Sequence, residues 1–322
     1  MKTTHTLAAA CIAATMTFPV LLHAQEAWPN RPVRLLVSFP AGAPGDLIAR
    51  MIQPALQQSL GQPVVVDNKP GAGGNIGAQE VARATDGHTV LVGPDTMFTI
   101  NPHLYKKLGF KPTSDLVPVT QMASFSQLLV CNPGAGVKTL PALLEASKRK
   151  PLNYASGGPG VPGHMAMEML LAATQTQMQH VPYRGPGPAV QDVLGGSVPC
   201  GFLASPVVGP FVKEGRLVGI ASSSAKRLAS QPDVPTVAEA GVKEYDATFT
   251  EMVAMPKGTP PAVVNRLQAE IARALNAAEV RARLATMDLD VVANTPEEAA
   301  RRIAAESARW GKVAARIQLQ LD

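Results

Sequence analysis

Two places in this chain dictate how it folds, because in each an apolar run passes through a Gly/Pro-rich loop straight into a helical pattern. In the first, Val33-Arg34-Leu35-Leu36-Val37-Ser38 leads through Phe39-Pro40-Ala41-Gly42-Ala43-Pro44-Gly45-Asp46 into Leu47-Ile48-Ala49-Arg50. In the second, Leu152-Asn153-Tyr154-Ala155 leads through Ser156-Gly157-Gly158-Pro159-Gly160-Val161-Pro162-Gly163-His164 into the run from Met165 to Leu171. Neither loop carries a lysine or arginine. Each nevertheless ends at a helix N-terminus, where unpaired amides and the positive end of the helix dipole suit an anion. Two such loops, far apart in the chain, imply two lobes gripping one small anionic molecule. That arrangement suits a binder more than a catalyst.

With 322 residues, 46% hydrophobic and 16% charged, the chain can bury a sizeable core and is long enough for two domains. Its net charge of +5 is spread out, and aromatic residues make up only 4%. Nucleic-acid binding needs a concentrated basic face interleaved with stacking rings, so no nucleic-acid partner is expected. The start of the chain reads as a secretory signal: Lys2 and His5, then an apolar run from Leu7 to Leu22, then Ala24 as the cleavage residue, with Ala27 as the alternative. That run is interrupted by Pro19 and is short for a membrane span. Cys11 has too little hydrophobic sequence before it for a lipid-attachment signal. The mature chain is therefore expected to be exported. It keeps Cys131 and Cys200, each in an apolar strand pattern. Buried free thiols are the simpler reading, with a bridge chemically open in an exported protein.

Apolar periodicity predicts strands at 33–38, 64–67, 89–92, 117–122, 127–131, 152–155, 179–181, 200–203, 217–221, 248–255 and 289–292. It predicts helices at 46–60, 76–84, 140–150, 164–173, 188–194, 206–214, 260–277 and 296–316. Short apolar strands alternating with helices argue an α/β fold with mostly parallel sheet covered on both faces. Pro54 should bend the first helix. The last helix carries Ile303, Trp310 and Ile317 on one stripe, which should pack on the N-terminal part of the chain.

Known chemical motifs are poorly matched. Gly158-Pro159-Gly160-Val161-Pro162-Gly163 has the spacing of a dinucleotide fingerprint, but the next strand ends His180-Val181-Pro182-Tyr183-Arg184, without the acid that would hold a ribose. Asn68 to Asn75 is a third Gly-rich loop, without the Lys-Ser/Thr ending of a phosphate-binding loop. The histidines show no metal-ligand spacing, and neither a nucleophile elbow nor an HExxH motif is present. No metal, cofactor or catalytic residue is expected. Asp46 is most simply a helix N-cap, and His164 at the second helix start has a structural reading beside a ligand-donating one.

The residues also resemble a known family. Trp28-Pro29-Asn30-Arg31-Pro32-Val33-Arg34, then Phe39-Pro40-Ala41-Gly42 with Asp46 and Ala49-Arg50, look like the opening of the tripartite tricarboxylate transporter substrate-binding proteins, the Bug-type periplasmic receptors. The likeness continues through Gly61 to Gly77, Asp86-Gly87, Asn101 to Tyr105, His180 to Gly185, Pro232 to Thr236 and Gly258-Thr259-Pro260. It implies a two-lobe class II periplasmic-binding-protein fold, each lobe a mostly parallel sheet flanked by helices, with a ligand cleft between. The lobes would be 25–125 with 249–322, and 126–248, after a signal peptide at 1–24. It implies a monomer that captures a small carboxylate and hands it to inner-membrane transporter subunits. A sensor for a signalling partner, or a periplasmic enzyme on a carboxylated compound, would use the same cleft.

Carried onto this chain, the ligand set implied is Ala41, Gly42, Ala43 and Asp46 from the first junction, Pro94, Asp95 and Thr96, then Ser156, Gly158, Pro159, Val161 and His164 from the second, with Ser205. Three positions depart from the family pattern. Val161 stands where Ser or Thr is common, Ala43 replaces a frequent glycine, and Thr250-Glu251-Met252 replaces a frequent Trp-x-Gly. They suggest a remodelled pocket for a larger or more apolar acid, either an aromatic dicarboxylate such as terephthalate or an aliphatic dicarboxylate or citrate-like acid.

Overall fold

The computed structural model describes residues 28–322, so the expected signal peptide and both of its cleavage positions lie outside the described residues. Among the described residues eleven strands follow in chain order: β1 Val33–Val37, β2 Val64–Asn68, β3 Thr89–Pro94, β4 Leu116–Phe125, β5 Gln127–Cys131, β6 Asn153–Ser156, β7 Gln179–Pro182, β8 Cys200–Ala204, β9 Val218–Ser222, β10 Phe249–Pro256 and β11 Asp290–Val291. They form a six-stranded sheet, β11-β4-β10-β3-β1-β2, and a five-stranded sheet, β7-β6-β8-β5-β9.

Pairing is parallel in β1–β2, β1–β3, β6–β7 and β6–β8, as the strand–helix alternation predicts. The sheets are nevertheless mixed rather than mostly parallel. β10 is antiparallel to β3 and β4, and β5 is antiparallel to β8 and β9. The cause is connectivity. β4 passes into β5 through Ser126 alone, and β10 returns the chain from the second sheet to the first. A strand arriving from the other sheet enters at the end where its neighbours finish, so it must run against them.

The first helix, Pro44–Leu60, buries Ile48, Ile52, Leu56 and Leu60 at helical spacing and stops at Gly61 in the left-handed region. It continues through Pro54, which lies on its exposed face. The C-terminal helix Pro296–Ile317 buries Ala299, Ile303, Trp310 and Ala314. It packs on β4, as its stripe predicts, and also reaches the helix Pro162–Thr174 of the second sheet. The Trp310 ring stacks on Phe249 at 5.5 Å between centroids. The helix Ala278–Ala285 and three four-residue helices (Thr96–Thr99, Asn101–Leu104, Pro112–Asp115) are additions to the predicted pattern.

Cys131 and Cys200 form a disulfide, which corrects the free-thiol reading. They face each other directly in the β5–β8 register, so their side chains leave the sheet on the same side and meet.

Candidate ligand-binding site

The two junctions are built alike, residue for residue: Gly42-Ala43-Pro44-Gly45-Asp46 and Gly160-Val161-Pro162-Gly163-His164. Each helix begins at its proline, whose fixed φ suits a first helical position, after an extended Ala43 or Val161 that offers no side-chain cap. Gly42 and Gly160 take φ +82° and +71°, a region open to glycine at little steric penalty. The third helical residue then reaches back to that glycine. Asp46 Oδ2 accepts from the Gly42 amide at 2.9 Å, and His164 Nδ1 accepts from the Gly160 amide at 3.0 Å. Asp46 is therefore not the N-cap expected from the sequence, because Pro44 starts the helix two residues earlier. Both side chains hold the loop in shape.

Electrostatically the junctions part company. Burial disfavours charge on Asp46, but hydrogen bonds from Arg50, Gly42 and Asn68 outweigh it and hold the carboxyl below its ordinary range. A second acid, Glu251 of β10, lies against the Gly45 amide of the same helix turn. A Cβ on Gly45 would sit 2.6 Å from Glu251 Oε2. Burial, then the neighbouring Asp95 carboxyl, push Glu251 up to about 8. Burial likewise raises Asp95 to about 7, against hydrogen bonds to its carboxyl from the Thr250 hydroxyl, at 2.9 Å, and from the Thr250 backbone. At the second junction burial, then His180, lowers His164 to about 3, and burial lowers His180 to about 4, so both imidazoles are neutral near pH 7. Their rings stack at 4.0 Å between centroids.

Between the junctions lies a small cavity of about 40 Å³, walled by Ala43, Pro44, Val161 and Pro162 together with Phe125, Gln127, Phe202 and Glu251. Its only polar lining side chains are Gln127 and Glu251, each 2% exposed. Gln127 Nε2 and Glu251 Oε2 lack any hydrogen-bond partner. Buried polar atoms are rarely left so, and the position of these two in the cavity lining makes them candidate ligand contacts. A larger cavity of about 640 Å³, sharing Phe39, Gly157 and Val161 with the first, runs outward past the loop Pro70–Gly74 and Tyr183–Gly185. The loops of the two sheets touch here: Tyr105 Oη donates to the Pro159 carbonyl at 3.3 Å.

Ala43, Pro94 and Val161 line the smaller cavity, and Gly158, Pro159 and Val161 line the larger one. Ala41 and Gly42 are exposed and line neither. Asp95, Thr96 and Ser205 are buried next to lining residues, each with one unpartnered side-chain oxygen. Asp46, Ser156 and His164 are turned to partners within the fold. Ser156 Oγ meets His180 Nε2 at 2.7 Å, but the serine is fully buried and opens on neither cavity, so this serine–histidine contact does not present a nucleophile. Sequence reasoning missed Gln127, and it named Glu251 only within the Thr250-Glu251-Met252 departure that remodels the pocket, not in the ligand set. The signal for Glu251 was present: it is the one charge in the apolar strand Phe249–Pro256.

Residues 48–319 match the family model described as the tripartite tricarboxylate transporter family receptor, TctC. Protein BugT of Bordetella pertussis is 35% identical over 292 residues, covering 89% of this chain and 90% of BugT. The Rhodopseudomonas palustris protein Rpa4515, solved with adipate, is similar in structure with a TM-score of 0.87 at 31% identity, covering 91% of this chain and 99% of that one. MatC from the same organism, solved with bound malate, gives 0.85 at 30% identity over 89% and 99%. An α/β chain with two helix-flanked sheets, two matched glycine junctions and relatives of this closeness is a member of the TctC tripartite tricarboxylate transporter receptor family.

Proposed function

We propose that this chain is an exported periplasmic receptor that captures a small carboxylate and delivers it to an inner-membrane tripartite transporter. Residues 28–125 with 249–322 form one lobe, and residues 126–248 form the other. Their hinge is the pair of crossings at Ser126 and between β9 and β10. The observation that carries this reading is the cavity flanked by both helix N-termini, with Gln127, whose Nε2 is unpartnered, in its lining. Amides at the second helix start and the Gln127 amide give a carboxylate several fixed donors, which closure makes stronger by excluding water. Adipate and malate in the similar proteins support a carboxylate as the ligand class. Ligand then shifts an open–closed equilibrium and leaves unchanged.

Native mass spectrometry of the protein purified from its host, followed by calorimetry with a broad panel of organic anions, tests this. A co-purified carboxylate recovered chemically intact is the expected result. Absence of heat with every anion, or conversion of the bound compound, would refute it.

A further inference from the structure

Two neighbouring carboxyls are buried behind the first junction, and no lysine or arginine lines the cavity beside them. Asp95 and Glu251 are 4% and 2% exposed, and the pairing of β10 with β3 sets Glu251 opposite Pro94, the residue before Asp95. The charged groups around the pair are spoken for. Asp46, next to Gly45 on the first helix, is paired with Arg50, and Glu306 and Arg309 of the C-terminal helix pair with each other while acting on Asp95 with opposite signs. Two adjacent buried carboxyls without a cation cannot both ionise at modest cost, so between them they keep a proton near neutrality. Asp95 accepts a hydrogen bond from the Thr250 hydroxyl, which favours its charged form, whereas Glu251 accepts only from the Gly45 amide. Glu251 is accordingly the later of the two to ionise, at about 8 against about 7. A protonated carboxyl carries an O–H donor, and Glu251 Oε2 has no partner within the fold.

Resting on the carboxylate-receptor reading, we propose that Glu251 grips the ligand as a neutral acid, donating its O–H to a ligand carboxylate that also accepts from Gln127 Nε2. The proton stays on Glu251 throughout, and the bond is of the short, charge-assisted O–H···O⁻ kind. One donor comes from β10 of the first sheet and the other from β5 of the second, so a single carboxylate ties the two sheets together. Binding and protonation are then linked. A bound carboxylate favours the protonated Glu251, and loss of that proton removes a donor and leaves a negative group against the ligand. Glu251 is thus a specificity-determining residue that makes capture of the ligand depend on pH in the alkaline range.

Calorimetry of the intact mature protein with malate, succinate, adipate and terephthalate tests this, each probe being fully ionised above pH 7. The tightest binder is followed from pH 7 to pH 9, in buffers of different ionisation heats. The expected result is an affinity about tenfold weaker at pH 9 than at pH 7, with uptake of about three-quarters of a proton per ligand at pH 8.5. Glu251→Gln replaces the O–H with an amide N–H that does not titrate, so it should bind within about threefold of the unaltered protein at pH 7 and lose both the fall and the uptake. Binding that is flat from pH 7 to pH 9 without proton uptake overturns the proposal and leaves the carboxylate receptor standing. A fall that persists in a folded Glu251→Gln protein overturns the role of Glu251. Absence of heat with all four probes overturns the receptor reading and the proposal with it. The pH series on the unaltered protein does not depend on the variant folding.

Discussion

The junctions at Gly42–Asp46 and Gly160–His164 share backbone, proline, and a side chain folded back on a glycine amide, yet one is packed with acids and the other with neutral imidazoles. A shared backbone motif therefore sets where a ligand is held, while the side chains behind it set which charge is welcome. In the first junction a helix N-terminus is answered by Glu251. In the second it is left to the ligand and Gln127.

The largest difference between the two halves is covalent. The second sheet is cross-linked by Cys131–Cys200, at a sequence separation of 69, while among the described residues the first sheet has no disulfide. Closing a loop of that size removes about 4 kcal/mol of unfolded-chain entropy in the simplest model. Replacing both cysteines with serine should lower the urea midpoint of the second sheet far more than that of the first, read by hydrogen exchange of β5 and β8 against β1 and β3. Equal loss in both would mean that the sheets unfold as one unit.

Next come the matched glycines. A Cβ at Gly163 would lie 2.0 Å from the backbone carbonyl of Phe202, which cannot swing away, whereas at Gly45 it meets the end of the Glu251 side chain. Gly163→Ala should cost roughly 2–3 kcal/mol and Gly45→Ala about 1 kcal/mol, measured by denaturant unfolding. The ranking reverses only if the Glu251 carboxyl is held more rigidly than a strand backbone.

The pH responses of the junctions should oppose each other. Below about 6.5 the unfolded chain takes up protons that the folded His164 and His180 refuse, so stability is lost as pH falls toward about 4. Above the ordinary carboxyl range the unfolded chain releases protons that the folded Glu251 retains, so stability is lost as pH rises from about 4.5 toward about 8. Relative to the unaltered protein, His180→Gln should gain on the order of 1 kcal/mol at pH 5, and Glu251→Gln a similar amount at pH 9. In thermal unfolding each gain is a Tm rise of roughly 3 °C; the His180→Gln gain fades as pH rises through about 6.5, whereas the Glu251→Gln gain grows as pH rises from about 4.5 toward about 8. A His180→Gln gain that persists at pH 9, or a Glu251→Gln gain larger at pH 5 than at pH 9, would break the assignment of acid sensitivity to one junction and alkali sensitivity to the other.

Both junctions could be found from sequence because each concentrates local signals, an apolar run, a Gly/Pro loop and a helix, within about twenty residues. Their internal match was also visible as Gly-x-Pro-Gly-(Asp/His), which fixes the glycine conformation and the helix start together. The direction of β5 and β10 was not legible, since their residues carry no mark of which sheet the chain has just left. The disulfide needed the β5–β8 register, a long-range fact that spacing alone cannot supply. Glu251 stood out as a lone charge in an apolar strand, but only the tertiary arrangement shows it meeting Gly45, residues distant in the chain.

The ring of Trp310 lies flat on Phe249, at the point where the chain re-enters the first sheet, and Phe249 in turn leans on Phe125, a wall of the smaller cavity. Indole emission is sensitive to the polarity and quenching of its neighbours, so this three-ring stack is a built-in optical gauge. Trp28, the other tryptophan of the described residues, has its indole N–H on the Gly87 carbonyl and its ring beside His88, so a Trp28→Phe protein would leave Trp310 to report a titration without any attached dye.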